Sequence, residues 1–369
     1  MHPRARRAVV LSLVLGVLGF GSSAQAATYY VSPTGSDLSA GSITTPWKTV
    51  GKALVAMKAG DTTFLRAGTY EERLQTACDS KQNRLNWTTS GTATAPITLS
   101  GYPGEEKAVV LKTFLSLTGN FQTVKNLVMD RNRAYSSFDS ACTGATGINI
   151  WGDNTTLDAV EIRNQAMSGV YLEGADRVKI MRSRIHHNGT HYNLDHGIYY
   201  KTGVDGLIVN NVFDYNWAAG IKLGPGPTRP IAAQNTVVRN GAGGKGSGIM
   251  IGGDTTKVAT GARVVNNISV YNKEFGIRSF WEGSAGTANV VDRNLIYGNT
   301  SGPSWYPKGG VTESRSMLII PGLMNIDAGD YRLTAPSLAI GAADIGYSYS
   351  PDYAGRSRDS APDLGALEY

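Results

Sequence analysis

From Asn126 onward the chain repeats one short alternation of apolar and polar positions. The segments NLVMDR at 126, AVEIRN at 159, SRIHHN at 183, NVFDYN at 211, NTVVRN at 235, NISVYN at 267 and NLIYGN at 294 align, and from the second onward each ends in asparagine: Asn164, Asn188, Asn216, Asn240, Asn272 and Asn299. These asparagines are 24, 28, 24, 32 and 27 residues apart. After each turn a second strand-like run begins with Gly-Ile or Gly-Val. A two-residue beat inside a unit of this length predicts short strands stacked in a solenoid. No 3.6-residue periodicity accompanies it, which excludes helical repeats and leucine-rich arcs.

A parallel β-helix remains. Its coils bury alternate Val, Ile and Leu, and its turn asparagines stack along the axis. That position also accounts for the N-x-S/T triplets at Asn188 and Asn267, which are therefore read as incidental. The glycine opening each second run sets its register, from Gly147, Gly169, Gly197, Gly220, Gly248 and Gly276. Alternation turns the second and fourth residues inward and the third and fifth outward. One outward column is thus Asn149, Tyr171, Tyr199, Lys222, Met250 and Arg278; the next is Trp151, Glu173, Lys201, Gly224, Gly252 and Phe280. Cations, phenols and flat surfaces on one strip make a plausible sugar-binding groove.

At this point the chain resembles a known family. TYYVSPTGSD, PWKTVGKAL and GDTTFLRAGTYEE near the start, and GDYRLTAPSLAIGAADIG with DSAPDLGALEY at the end, are similar to the flanking segments of bacterial right-handed parallel β-helix proteins of the pectate-lyase-like superfamily. The resemblance implies an all-β, single right-handed β-helix over residues 27–369. Residues 27–75 would form the N-terminal cap and first coil, with the amphipathic run Lys48 to Met57 as a capping helix, and residues 325–369 the C-terminal cap segment.

Residues 1–26 read as a cleavable export signal: Arg4, Arg6 and Arg7, an apolar run, then Ala24 to Ala26 as the cleavage site. The mature chain is expected to be secreted, with no membrane span, and a monomer. Removing three arginines from 35 basic residues leaves 32 against 29 acidic, a net charge of +3. This mild excess suits an acidic polysaccharide and offers no basic stripe for nucleic acid. Cys78 and Cys142, the only cysteines, are candidates for one disulfide in an oxidising exterior, the alternative being two buried thiols.

All histidines of the mature chain fall between His186 and His196. The turn between Asn and Gly is lengthened before Gly147, Gly197 and Gly248 only, so the loop HYNLDH is expected to carry His191, Asp195 and His196 over the groove beside Tyr199 and Lys222. His186, following the inward Ile185, would point to solvent, and His187 would be a turn residue. Four histidines also raise zinc, against which stands the lack of cysteine partners.

A glycoside hydrolase needs converging carboxylates, and the columns supply only Glu173. β-Elimination of a uronate polymer needs a base for the C5 proton, a group that neutralises the carboxylate and an acid for the leaving O4. Lysine, arginine, tyrosine and histidine suffice for these roles. The resemblance implies the same, since polysaccharide lyases on this fold commonly use a Lys or Arg base on the outward face and some alginate-cleaving members pair a Lys with a Tyr. The expected set is Lys222 as base or neutraliser, Tyr199 as its partner, His191 and His196 assisting, and Arg278, Lys201, Tyr171, Glu173, Asn149, Trp151 and Asp195 along the substrate. Alginate stands ahead of pectate and glycosaminoglycan. The pectate-cleaving branch carries clustered Asp ligands for calcium, and no such cluster is visible, so the reaction needs no cofactor or uses a Ca²⁺ site the sequence does not show. Two alternatives stand: a C5-epimerase, whose acid-plus-histidine motif Asp195–Gly197 loosely resembles without its proline, and a carbohydrate-binding β-helix without enzymatic activity.

Overall fold

The computed structural model describes residues 25–72, 84–131, 146–190, 195–254, 256–280 and 284–369. The expected export signal as far as Ala24, together with His191, Cys78 and Cys142, lies outside them. The described chain is a right-handed solenoid of parallel strands. One α-helix, Val50–Ala56, sits at its N-terminal end, with the Thr49 hydroxyl accepting from the Lys52 amide and Val50, Ala53 and Leu54 turned inward. Among the described residues no helix is long and apolar enough to cross a membrane.

Each coil contributes one strand to an exposed face and others to the flanks. Nine face strands stack in the order Arg84–Trp87, Phe114–Leu117, Ile148–Ile150, Val170–Glu173, Ile198–Val204, Ile221–Thr228, Ile249–Ile251, Phe275–Ser279 and Gly302–Trp305. Their inward residues form aliphatic columns. Ile148, Val170, Ile198, Ile221, Ile249 and Ile277 lie at one register position, and all are fully buried. Each such side chain stabilises by about 1.5–3 kcal/mol relative to exposure.

The glycines that open the face strands are explained by crowding. A Cβ on Gly220 would come within 2.7 Å of Val237 Cγ1, and one on Gly248 within 2.1 Å of Ser269 Oγ. No other residue fits where the chain leaves the corner.

The asparagine ladder exists, with one correction and one addition. Nδ2 of Asn188 donates to Asn216 Oδ1 at 3.0 Å, Asn216 to Asn240 at 2.9 Å, Asn240 to Asn272 at 3.1 Å and Asn272 to Asn299 at 2.9 Å. Asn164 does not join. Its φ is +54° and its amide reaches Asp130, while the neighbouring Gln165 donates its backbone N–H to Asn188 Oδ1. The corner turns one residue later in that coil. A second ladder, not foreseen, runs through the first position of the same segments: Asn211, Asn235, Asn267 and Asn294, linked at 3.0, 3.0 and 2.9 Å. Asn188 and Asn267 are fully buried, so their N-x-S/T triplets are not glycan acceptors in the folded chain.

The C-terminal residues pack along a flank across several coils. Tyr331, Leu333, Ala339, Leu364, Ala366 and Leu367 form a second apolar cluster with Val212, Val238, Ile268, Val270 and Leu295.

Replacing Asn216 by Ala removes the bonds to Ile185 O and Asn240 Oδ1 and leaves the Asn188 N–H without its acceptor. We expect a stability loss on the order of 3 kcal/mol, since each buried polar group left unmet costs about 1–3 kcal/mol. The exposed Lys179→Ala should stay within about 0.5 kcal/mol. Urea denaturation midpoints check both.

Candidate active site

Glycine phasing carries directly to the outer surface of the face. Strand pairing puts Asn149, Tyr171, Tyr199, Lys222, Met250 and Arg278 in one column, one coil apart, with Ser116 before Asn149 and Trp305 after Arg278. Neighbouring strands are about 4.8 Å apart, which is the step between these side chains. Tyr171, Tyr199 and Lys222 are half-buried, whereas Asn149, Met250 and Arg278 are covered by their neighbours. Of these six the accessible ones are therefore Tyr171, Tyr199 and Lys222 in the middle, and Trp305 at the end of the column is exposed as well.

There Lys222 rests against two ring faces. Its Nζ is 4.7 Å from the Tyr199 ring centroid and 5.0 Å from that of Phe280, within the range of cation–π attraction. Tyr199 also meets Tyr171 and His196 edge to face, each with centroids 5.5 Å apart. Burial is the main cause that pushes the Tyr199 hydroxyl above its ordinary range. It stays protonated at neutral pH and is suited to give a proton rather than take one.

One coil back, Glu173 accepts from Lys201 Nζ at 2.6 Å and from the Tyr171 hydroxyl at 2.6 Å. Burial, followed by the Glu173 bond, pushes the Tyr171 hydroxyl up to about 12. The Glu173 ion pair holds Lys201 above the ordinary lysine range, so Lys201 stays charged. The expected second column is broken at this point. Glu173 pairs with Thr202, and Thr202 with Gly226, so Lys201 sits in a bulge instead of standing between Glu173 and Gly224. Trp151 is half-buried under the Arg84 guanidinium, 5.5 Å from its ring, near the far end of the face.

Two loop expectations fail. Asp195 does not overhang the groove: it is fully buried, and its Oδ2 accepts the Thr190 backbone N–H at 3.0 Å. That bond ties Asp195 to the residue two positions after the ladder asparagine Asn188. His196 lies under the face, with 1% of its surface exposed. Its Nδ1 accepts the Ala219 N–H at 3.1 Å, so the ring proton sits on Nε2, a buried atom with no hydrogen-bond partner among the described residues. Burial first, then the Lys222 charge, hold this ring well below its usual range. His196 is therefore a neutral donor and not a proton shuttle. His186 and His187 belong to a flank, not to this face, and His186 does not point to solvent: it is 7% exposed and contacts Glu161. The three described histidines of this stretch, His186, His187 and His196, do not gather at one rim.

Beside Lys222 a recess of about 20 Å³ is lined by His196, Lys245, Glu274, Arg278 and Phe280. It has room for a single water or ligand oxygen. Arg278 Nη1 is 3.3 Å from Glu274 Oε2, and its guanidinium is 5.8 Å from the Trp305 ring, which stacks on Phe275. Lys245, Glu274, Phe275 and Trp305 were not foreseen. Lys245 comes from the lengthened turn before Gly248, a signal the sequence did carry. Trp305 continues the column from a strand that lacks the Gly-Ile opening.

Among the described residues the face carries no group of three carboxylate or histidine ligands, so these residues alone do not make a carboxylate-rich calcium site.

The profile of the Pel9A-like family, right handed beta helix region, matches residues 29–222, and a general right handed beta helix profile matches residues 146–315. The chain belongs to the Pel9A-like β-helix family. Pectate lyase PEL9 of Emericella nidulans is 41% identical to this family member over 80 residues, 22% of this chain and 17% of that protein, so the match spans under a fifth of its curated relative. The crystal structure of pectate lyase Pel9A superimposes with a TM-score of 0.64 at 18% identity, covering 93% of this chain and 96% of that one. The A-module of Azotobacter vinelandii mannuronan C-5 epimerase gives 0.51 at 18%, covering 70% and 68%. At such identities the structural likeness concerns the fold.

The buried neutral His196 fixes a sign. Below about pH 6.5 the unfolded chain binds a proton that the folded chain refuses, so this residue subtracts stability as pH falls. His196→Gln, which has no titrating group, should show a shallower loss of Tm between about pH 7 and pH 5 than wild type. Parallel thermal melts would expose an identical slope, which is the contrary result.

Proposed function

We propose that this chain is an exported polysaccharide lyase that cleaves a uronate-containing polymer by β-elimination. The observation that carries the reading is the Lys222 amine held between the Tyr199 and Phe280 rings in the accessible middle of the face. Lys222, having first given a proton to solvent, takes the C5 proton as the neutral amine. The electron pair of that C–H bond forms the C4=C5 double bond, the C4–O4 bond breaks, and the departing O4 takes the Tyr199 hydroxyl proton. The ammonium and the phenolate then exchange a proton through solvent and reset the site.

Charge on the substrate carboxylate grows as the C5 proton leaves. The one-oxygen recess suits it: His196, Arg278 and Lys245 line it, and among the described residues that line it Glu274 is the one carboxylate. Two substrates are carried forward. The Lys–Tyr pair without a carboxylate cluster supports alginate, and the 80-residue likeness to a pectate lyase supports pectate.

The test is ultraviolet absorbance of unsaturated uronate ends, followed with alginate, pectate, glucuronan and hyaluronan, with and without chelator. A rise on one polymer is expected. Lys222→Met should lower kcat by about 10²–10⁴-fold and Tyr199→Phe by about 10²-fold, the usual worth of a positioned base or acid. No absorbance on any polymer, with solvent hydrogen appearing at C5, would instead assign an epimerase. Binding without either product would assign a carbohydrate-binding protein.

A further inference from the structure

A second cluster of reactive side chains lies on a flank, in a different sheet from the face. Arg163, His186 and Asp214 share one register position on three successive coils. His187 follows at the corner with φ +54°, and its ring stacks on Tyr215 with centroids 5.1 Å apart. One ligand atom each from His186, His187 and Asp214 lie within 4.8 Å of one another.

The hydrogen bonds decide which nitrogen is which. His186 Nε2 is 3.1 Å from Glu161 Oε1. A carboxylate only accepts, so Nε2 carries a proton. His186 Nδ1 faces His187 Nδ1 at 2.7 Å. Two lone pairs cannot stand at that distance without something between them, and either a proton on one of the two rings or a cation fills the role.

We propose that the His186–His187–Asp214 cluster binds a divalent transition-metal ion of the zinc type. The donor set is two imidazoles and a carboxylate, which suits Zn²⁺, Co²⁺ or Cu²⁺ and not an oxygen-seeking Ca²⁺. Two nitrogens bound to one zinc at about 2.1 Å sit about 3–3.4 Å apart, so the rings need to open by less than about 1 Å. Around the ligands stands the support that metal sites use, with a carboxylate on the far nitrogen of one imidazole. Asp214 is fully buried and fixed by Arg184 Nε at 3.0 Å, Arg184 Nη2 at 2.7 Å and the Tyr331 hydroxyl at 2.9 Å. It keeps lone-pair capacity for a metal, since a carboxylate has about four acceptor sites. Tyr331 belongs to the C-terminal segment, so a bound ion would join successive coils to it.

The site does not depend on the lyase reading, and neither does its test. Untagged chain, stripped with chelator, is titrated with Co²⁺ while the visible spectrum is recorded, and with Zn²⁺ by calorimetry and thermal melts. One equivalent is expected, with ligand-field bands and a Tm raised by Zn²⁺. His187→Gln, at a half-buried position, should abolish the bands. Glu161→Gln keeps all three ligands, so it reads the site even where His187→Gln fails to fold, and should weaken binding about 10–100-fold. Absence of a stoichiometric Co²⁺ spectrum in the wild-type chain, or equal binding by a folded His187→Gln or by Glu161→Gln, would overturn the proposal and leave a proton as the occupant of the His–His gap.

Discussion

The amide-to-amide bond between stacked asparagines is the interaction on which the other features depend. Each coil must turn a corner through a residue with positive φ, and these are ordinary side chains: His187, Tyr215, Arg239 and Tyr271. A left-handed conformation costs such residues about 1–2 kcal/mol. The next residue in each case is a ladder asparagine, whose side chain accepts a backbone N–H from the coil before and donates to the coil after. The ladder offsets the corner cost and satisfies buried backbone groups. It also starts each following face strand at the same phase. Without a common phase there would be no aligned column, and Lys222 would not meet the Tyr199 ring.

That dependence explains what could be read in advance. The column from Asn149 to Arg278 was legible because glycine marks the one point per coil where a side chain does not fit, and strict alternation does the rest. The bulge at Lys201 was not legible. Nothing in GIYYK distinguishes a regular strand from one with an extra residue until its neighbours on both sides are placed. Asn164 misled because its segment ends like the others while Asn164 itself is the positive-φ corner residue and Gln165 takes the ladder position. The ladder through Asn211, Asn235, Asn267 and Asn294 was in plain view at the first position of the aligned segments, overlooked beside the stronger signal at the sixth. The fate of Asp195 and His196 depended on the path of a turn, and paths of turns are set by tertiary contacts that spacing does not encode.

The face has a consistent electrostatic plan. Lys201 is paired with Glu173 on one side and Arg278 with Glu274 on the other. Between these two ion pairs Lys222 lies on aromatic rings, in the accessible stretch of the column. The central amine meets an incoming polymer in surroundings that also keep Tyr199 protonated and His196 neutral.

Because the corner, the glycine and the ladder amide recur as one cassette, a whole coil is a unit that can be gained or lost without disturbing the phase of the rest. Deleting a coil elsewhere shortens the molecule, whereas inserting one between the Gly197 and Gly220 strands would part Tyr199 from Lys222 while leaving every local contact of the fold intact. Coil order is therefore an inheritable coordinate of its own. Two chains with the same repeat and overall shape can differ in chemistry solely by which cassette follows which.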